Sequence, residues 1–168
     1  MTTVVGSVKG LRARGFDGFL PVRELWKGKL ADIPRSPGVY VVLRSSMSPL
    51  KVRKNNPAFR FKGRDPTLPV SLLKARRPKR AIVLYIGKAG KRDGKATLFG
   101  RLGNYLRSGQ GRSSAHWGGR AIWQLVGAGS LRVAWLKTAA AKSRSVERQL
   151  LGEFEREFGS LPFANRAR

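Results

Sequence analysis

Residues 38–43 read Gly-Val-Tyr-Val-Val-Leu, and residues 81–87 read Ala-Ile-Val-Leu-Tyr-Ile-Gly. Both runs are rich in β-branched and aromatic residues, and the first follows the punctuation Pro34-Arg35-Ser36-Pro37. That composition predicts two buried strands. Successive side chains on a strand point to opposite faces. Val39, Val41 and Leu43 therefore share one face, and Tyr40 and Val42 the other. In the second run Ile82, Leu84 and Ile86 fall on one face, and Val83, Tyr85 and Gly87 on the opposite one. Each strand carries one tyrosine.

Working outward, Leu131–Leu136 reads as a third strand. A helix is expected from Thr97, its N-cap, to about Arg107, with Leu98, Leu102, Tyr105 and Leu106 at helical spacing. Arg101 lies at the edge of that stripe, one turn before Tyr105. A last helix is expected from about Thr138 to Phe158, with Val146, Leu150, Leu151, Phe154 and Phe158 as its apolar face. At about 100° per residue Glu147 falls inside that face. A carboxylate aimed at a core must be paired, metal-bound or neutralised, so Glu147 is either half of a buried ion pair or part of a site. Residues 1–33 form an N-terminal extension. Residues 45–80 form a basic insertion containing Pro49, Pro57, Pro66, Pro69 and Pro78, with a short helix near Ser71–Ala75. An insertion of this length is either functional or partly disordered. Residues 108–119 read as a Gly/Ser-rich loop holding His116 and Trp117, and residues 121–126 are ambiguous.

The chain has 168 residues, 35 Lys and Arg against 9 Asp and Glu, and a formal net charge of +26. Length and 41% hydrophobic content fit one globular domain over 1–168. The absence of cysteine excludes a disulfide scaffold, a thiolate metal site and a Cys nucleophile, and one histidine excludes a multi-His zinc site. The first fifteen residues lack the apolar stretch of a secretory signal, and the longest apolar run, Ala81–Ile86, is far short of the roughly 18 residues of a membrane span. A cytoplasmic protein that does not enter a membrane is expected. Excess positive charge opposes folding unless an anionic partner meets it. Nucleic acid is the first such partner, because Lys and Arg contacts to phosphates release counterions. An anionic membrane surface is second, but membrane binders concentrate charge on an amphipathic helix, whereas here it is spread along the chain. The acids are few, and four of the nine crowd into residues 147–157. Two-metal phosphodiester chemistry needs several carboxylates from different elements, so one metal and one carboxylate is the more natural design.

Taken together, the segments "IPRSPGVYVVLR" (33–44), "VLYIGKAG" (83–90), "LFGRLGNYL" (98–106), "SVERQLL" (145–151) and "LPFANR" (161–166) resemble the GIY-YIG nuclease superfamily. "HWGGRAIWQL" (116–125) is similar to a segment of its stand-alone bacterial members. The resemblance covers about Ile33 to Asn165, interrupted by the insertion. It implies a small α/β fold, a three-stranded antiparallel sheet flanked by helices, and a DNA endonuclease dependent on one Mg²⁺ or Mn²⁺. RNA or single strands are further candidate substrates. Tyr40 and Tyr85 match the two motif tyrosines, Arg101 the helix arginine, Glu147 the metal-binding glutamate and Asn165 the terminal asparagine. Lys88 matches a frequent basic position. Departures are Val39 for isoleucine, a long spacing between the triplets, and Tyr105 where many members have histidine.

The chemistry can be stated without the family. Phosphodiester hydrolysis needs an activated water and stabilised charge on the phosphoryl oxygens. Glu147 would hold a hard cation. Arg101 would bind phosphate oxygens through its planar fork. Tyr40 or Tyr85 would orient the water, and His116 would relay a proton near neutral pH. Lys88, Arg107 and Arg120 are expected to contact nucleic acid, and Tyr105 and Asn165 to support the site. The bland alternatives stay open: the tyrosines as ordinary sheet aromatics, Arg101 as a surface cation, His116 as a loop cap. At the level of the whole chain, the alternative is a non-catalytic nucleic-acid-binding protein with a retired site.

Overall fold

The computed structural model describes residues 4–76, 80–91 and 95–166. Pro78 of the proline series and Asp93 of the nine acids lie outside the described residues. In chain order the elements are α1 (Val8–Ala13), β1 (Asp17–Pro21), α2 (Val22–Trp26), β2 (Gly38–Leu43), α3 (Val70–Ala75), β3 (Val83–Ala89), α4 (Leu98–Gly109), β4 (Arg132–Lys137) and α5 (Ser143–Phe158), joined by short 3-10 turns. The fold is α/β. No helix among the described residues is long and apolar enough to cross a membrane.

The sheet has four strands in the order β1-β4-β2-β3, each neighbouring pair antiparallel. The expected number was three. The fourth comes from the N-terminal extension, whose residues 17–21 pair with β4. Gly18, a bulge and Pro21 hide it from a periodicity reading: the register shifts between Gly18 and Leu20, and Phe19 adopts φ 54. Proline is acceptable there because β1 is an edge strand.

Both faces of the sheet are covered, so every residue of β2 is buried and the strand reads as a continuous apolar run. One face carries Tyr40, Val42 and Trp135 against Leu98, Leu102, Tyr105 and Leu106 of α4. The other carries Val39, Val41 and Ala134 against Leu150, Leu151 and Phe154 of α5. In β3 the expected alternation breaks. Val83 and Ile86 belong to the α5-side core, and Leu84 and Tyr85 to the α4-side core. Tyr85 pairs with Val42 while Val83 pairs with Leu43, leaving Leu84 as the extra residue of a β-bulge. The expectation that Val83 shares a face with Tyr85 is thereby overturned. Tyr85 lies beside Val42 and Gly87 beside Tyr40, so both tyrosines look toward α4.

Thr97 caps α4 by accepting from the Gly100 N–H at 3.1 Å, as expected from its N-cap residue type. Helix α5 begins at Ser143, later than expected. The Thr138 N–H donates to the Pro37 carbonyl at 3.1 Å, and Ala140–Lys142 make a separate 3-10 turn before the helix.

The insertion is stitched down by two buried amides. Asn56 Nδ2 donates to the Arg120 carbonyl at 2.8 Å, and Asn56 Oδ1 accepts from the Ala58 N–H at 3.0 Å. Gln124, on the 3-10 turn Arg120–Gln124, donates to the carbonyls of Arg53 (3.0 Å) and Leu68 (2.9 Å) and accepts from the Leu68 N–H (2.9 Å). Its described residues include α3, which buries Leu73.

Candidate active site

Strand β3 is an edge of the sheet, so helices on opposite faces can present side chains around it. Arg101 comes from α4 on one face and Glu147 from α5 on the other. Tyr40, Tyr85, Lys88, Arg101 and Glu147 line one open pocket of about 230 Å³. One glycine of each triplet sits at a close approach, and Gly87 makes room for Tyr40. A Cβ at Gly87 would sit 2.5 Å from the Tyr40 ring. A Cβ at Gly38 would meet the Leu136 carbonyl and, at 2.7 Å, the Leu98 side chain. These close approaches are the physical reason for glycine in each triplet.

Tyr40 is 1% exposed and Tyr85 8%. Their rings stand edge to face with centroids 5.9 Å apart. Burial holds the Tyr40 hydroxyl well above the usual phenol range, and Tyr85 adds to this; the positive charge of Arg101 opposes it. Burial also raises Tyr85, against the hydrogen bond from Tyr40 and the charge of Arg101. Both are neutral phenols at pH 7. On its other side the Tyr40 hydroxyl lies 3.4 Å from His116 Nε2, a long contact. His116, Tyr40 and Tyr85 thus form a buried chain of polar atoms that ends at the pocket. His116 is 2% exposed. Burial and then Arg101 pull it down to about 3, despite a hydrogen bond to the Gly118 backbone. The ring is therefore uncharged at neutral pH, and any relay through it runs through the neutral form.

Glu147 is half-buried. Burial raises its carboxyl above the usual range, while Lys88, Arg144 and Arg101 pull it back. Arg101 acts electrostatically on Tyr40, Tyr85, His116 and Glu147 alike, so residues far apart in sequence meet around one guanidinium. No three His, Cys, Asp or Glu side chains among the described residues are placed to hold a metal ion together. An all-protein metal cage is thus not formed by them. A desolvated carboxylate open to a pocket does fit a hard cation that takes its remaining oxygens from water and phosphate. The cations around Glu147 disfavour a bare metal ion, so substrate phosphate would complete both the charge balance and the ligand set.

The supporting residues act by pinning backbone. Tyr105 is fully buried, donates to the Gly119 carbonyl at 2.9 Å and stacks on His116 at 4.8 Å. It fixes the loop that delivers His116. Asn165 Nδ2 donates to the Ile86 carbonyl at 2.9 Å while its Oδ1 accepts from the Ile86 N–H at 3.0 Å. The adjacent Ala164 N–H donates to the Leu84 carbonyl at 2.9 Å. The C-terminal segment thus satisfies the open edge of β3 on both sides of Tyr85.

Arg107 is not brought to this pocket. It lies at the far end of α4, bonded to Asn104, beside an apolar hollow with Trp26 and Phe99. Arg120 lies next door, in a second hollow that shares Tyr85 and Glu147 with the first. Reasoning from sequence missed Asn56, Gln124, Arg64, Arg76, Trp117 as a cation partner, and Arg166. No spacing signal marks them, because the docked insertion brings Asn56, Arg64 and Arg76 to residues far along the chain, Trp117, Arg120 and Arg166. Compared with protein-family models, curated proteins and solved structures, the chain matches none.

Proposed function

We propose that the chain is an endonuclease of the GIY-YIG type, hydrolysing DNA phosphodiester bonds with one divalent cation. The observation that carries this reading is the convergence of two phenols, a guanidinium, an ammonium and a lone carboxylate on one pocket at the sheet edge. Glu147 would hold Mg²⁺ or Mn²⁺, which when bound supplies Lewis-acid stabilisation of charge developing on the phosphoryl oxygens.

The chain's own residues do the rest. Arg101, exposed and without a carboxylate partner within ion-pair distance among the described residues, is free to clamp two phosphate oxygens. Lys88 adds a second positive charge from the strand end. Tyr85 is the more exposed phenol and orients the attacking water. Tyr40 stands behind it, its hydroxyl between Tyr85 and His116 Nε2, and the proton released by the attacking water leaves to solvent through the open side of the pocket. Because both phenols are neutral at rest, they work as oriented hydrogen-bonding groups, and nearby positive charge favours deprotonation only when the site is filled.

The test is supercoiled plasmid with Mg²⁺, with EDTA, and with Glu147→Ala and Arg101→Ala proteins. Nicking by the wild type is expected, with Glu147→Ala as slow as the EDTA control and Arg101→Ala slower by about 10²–10³. A wild type that shifts DNA in a gel but never nicks it, across metals and pH, would instead establish a non-catalytic binding protein.

A further inference from the structure

The second hollow holds a concentration of positive charge that the chemistry above does not use. Arg76, Arg120 and Arg166 line a cavity of about 220 Å³ together with Tyr85, Glu147 and Asn165. Arg120 is only 8% exposed, yet its buried Nε has no hydrogen-bond partner. The buried Nη1 of Arg76 has none either. None of Arg64, Arg76, Arg120 and Arg166 pairs with a carboxylate among the described residues. The charges that act on Arg120 are those of Arg166, Arg64 and Arg76, and burial together with them lowers it to about 10. Orphaned buried guanidinium atoms and mutual repulsion both cost stability.

The arrangement is nevertheless built. The Trp117 ring lies 4.2 Å from the Arg120 guanidinium and 4.9 Å from that of Arg64, so one indole holds two cations together. Asn56 fixes the Arg120 carbonyl from the insertion. A pre-assembled, unpaired guanidinium cluster matches the charge and fork geometry of a phosphate group. The hollow has room for several waters, and so for a hydrated phosphate group.

We propose that this hollow is a phosphate subsite that takes a backbone phosphate of the bound strand, next to the phosphate held by Arg101. Tyr85 and Glu147 form the wall common to both hollows, so the two phosphates are neighbours, an adjacency that rests on the nuclease reading. Glu147 is the only carboxylate in the lining among the described residues and marks the boundary between the two phosphates. The insertion thus contributes directly to substrate binding, through Arg76 in the lining and Arg64 behind Trp117.

The experiment is calorimetric titration of the full chain with inorganic phosphate, in EDTA and at constant ionic strength. Wild type and Glu147→Ala are expected to bind. Arg120→Gln should weaken binding about tenfold or more. Since that residue is buried, the exposed Arg166→Gln is the second variant, with the same loss expected. Arg101→Gln removes the phosphate contact of the first pocket but should leave the binding that depends on Arg120 and Arg166 in place. Loss in Arg101→Gln with retention in Arg166→Gln, or no binding by the wild type, overturns the subsite. A trinucleotide lacking terminal phosphates should displace inorganic phosphate at least as well as a nucleoside monophosphate does. Clear preference for the monophosphate overturns the strand assignment and makes the hollow a nucleotide site. All of this is read without cleavage, so a failed nicking assay leaves the subsite standing, and a failed titration leaves the nuclease reading standing.

Discussion

At the scale of single residues, His116 illustrates how burial redirects chemistry. An ordinary imidazole titrates near 6.5; here burial and Arg101 bring it to about 3. Between those values the unfolded chain binds a proton that the folded chain does not. Stability from this group is therefore fully present above about 6.5 and is lost as pH falls toward 3. Each unit of separation corresponds to about 1.4 kcal/mol. His116→Gln should flatten the acid limb of a plot of Tm against pH relative to wild type. Parallel curves for the two proteins between pH 6.5 and 4 would show that the ring titrates normally. Glu147 carries a raised pKa for the same reason, desolvation, but faces a pocket that a cation can enter.

At the scale of elements, the amide of Gln124 joins the insertion to the segment that follows α4. Replacing it with leucine leaves the Leu68 N–H and two carbonyls, of Arg53 and Leu68, without partners. A loss of roughly 3 kcal/mol or more is expected, at about 1–3 kcal/mol for each orphaned buried group, measurable by urea unfolding. A loss below about 0.5 kcal/mol, the range of ordinary surface substitutions, would mean that the insertion is not docked as described. The same element shows what was legible in sequence. Strands β2, β3 and β4 announced themselves through apolar and β-branched runs, and α4 through its cap and stripe. Glu147 stood out because its helical angle conflicts with its charge. What stayed hidden depends on long-range contact. Strand β1 is five residues broken by a bulge, and becomes a strand only against β4. Asn56 and Gln124 look like ordinary polar residues until the backbone groups they satisfy are known. Of the arginines of the second hollow, Arg120 was expected to contact nucleic acid, while Arg76 and Arg166 were lost among many similar residues.

At the scale of the whole molecule, the formal charge of +26 governs how any polyanion is met. Binding to duplex DNA should fall steeply with salt, with a log–log slope near −0.9 for each phosphate neutralised. Fluorescence anisotropy across a salt series measures this. The two hollows on either side of Tyr85 and Glu147 should appear as separable contributions, with Arg166→Gln reducing the slope by about one. A flat profile would contradict phosphate-driven association.

The bulge at Leu84 bears on how such a molecule can change over generations. A one-residue slip within a paired strand turns every side chain beyond it to the opposite face. Here the unpaired residue stands between the long insertion and Tyr85, and works like a slack link in a chain. A one-residue slip of the strand start before it can be taken up at that link, with the phenol still turned to the same side. A shift in where the insertion hands over to the strand therefore need not turn Tyr85 away from α4.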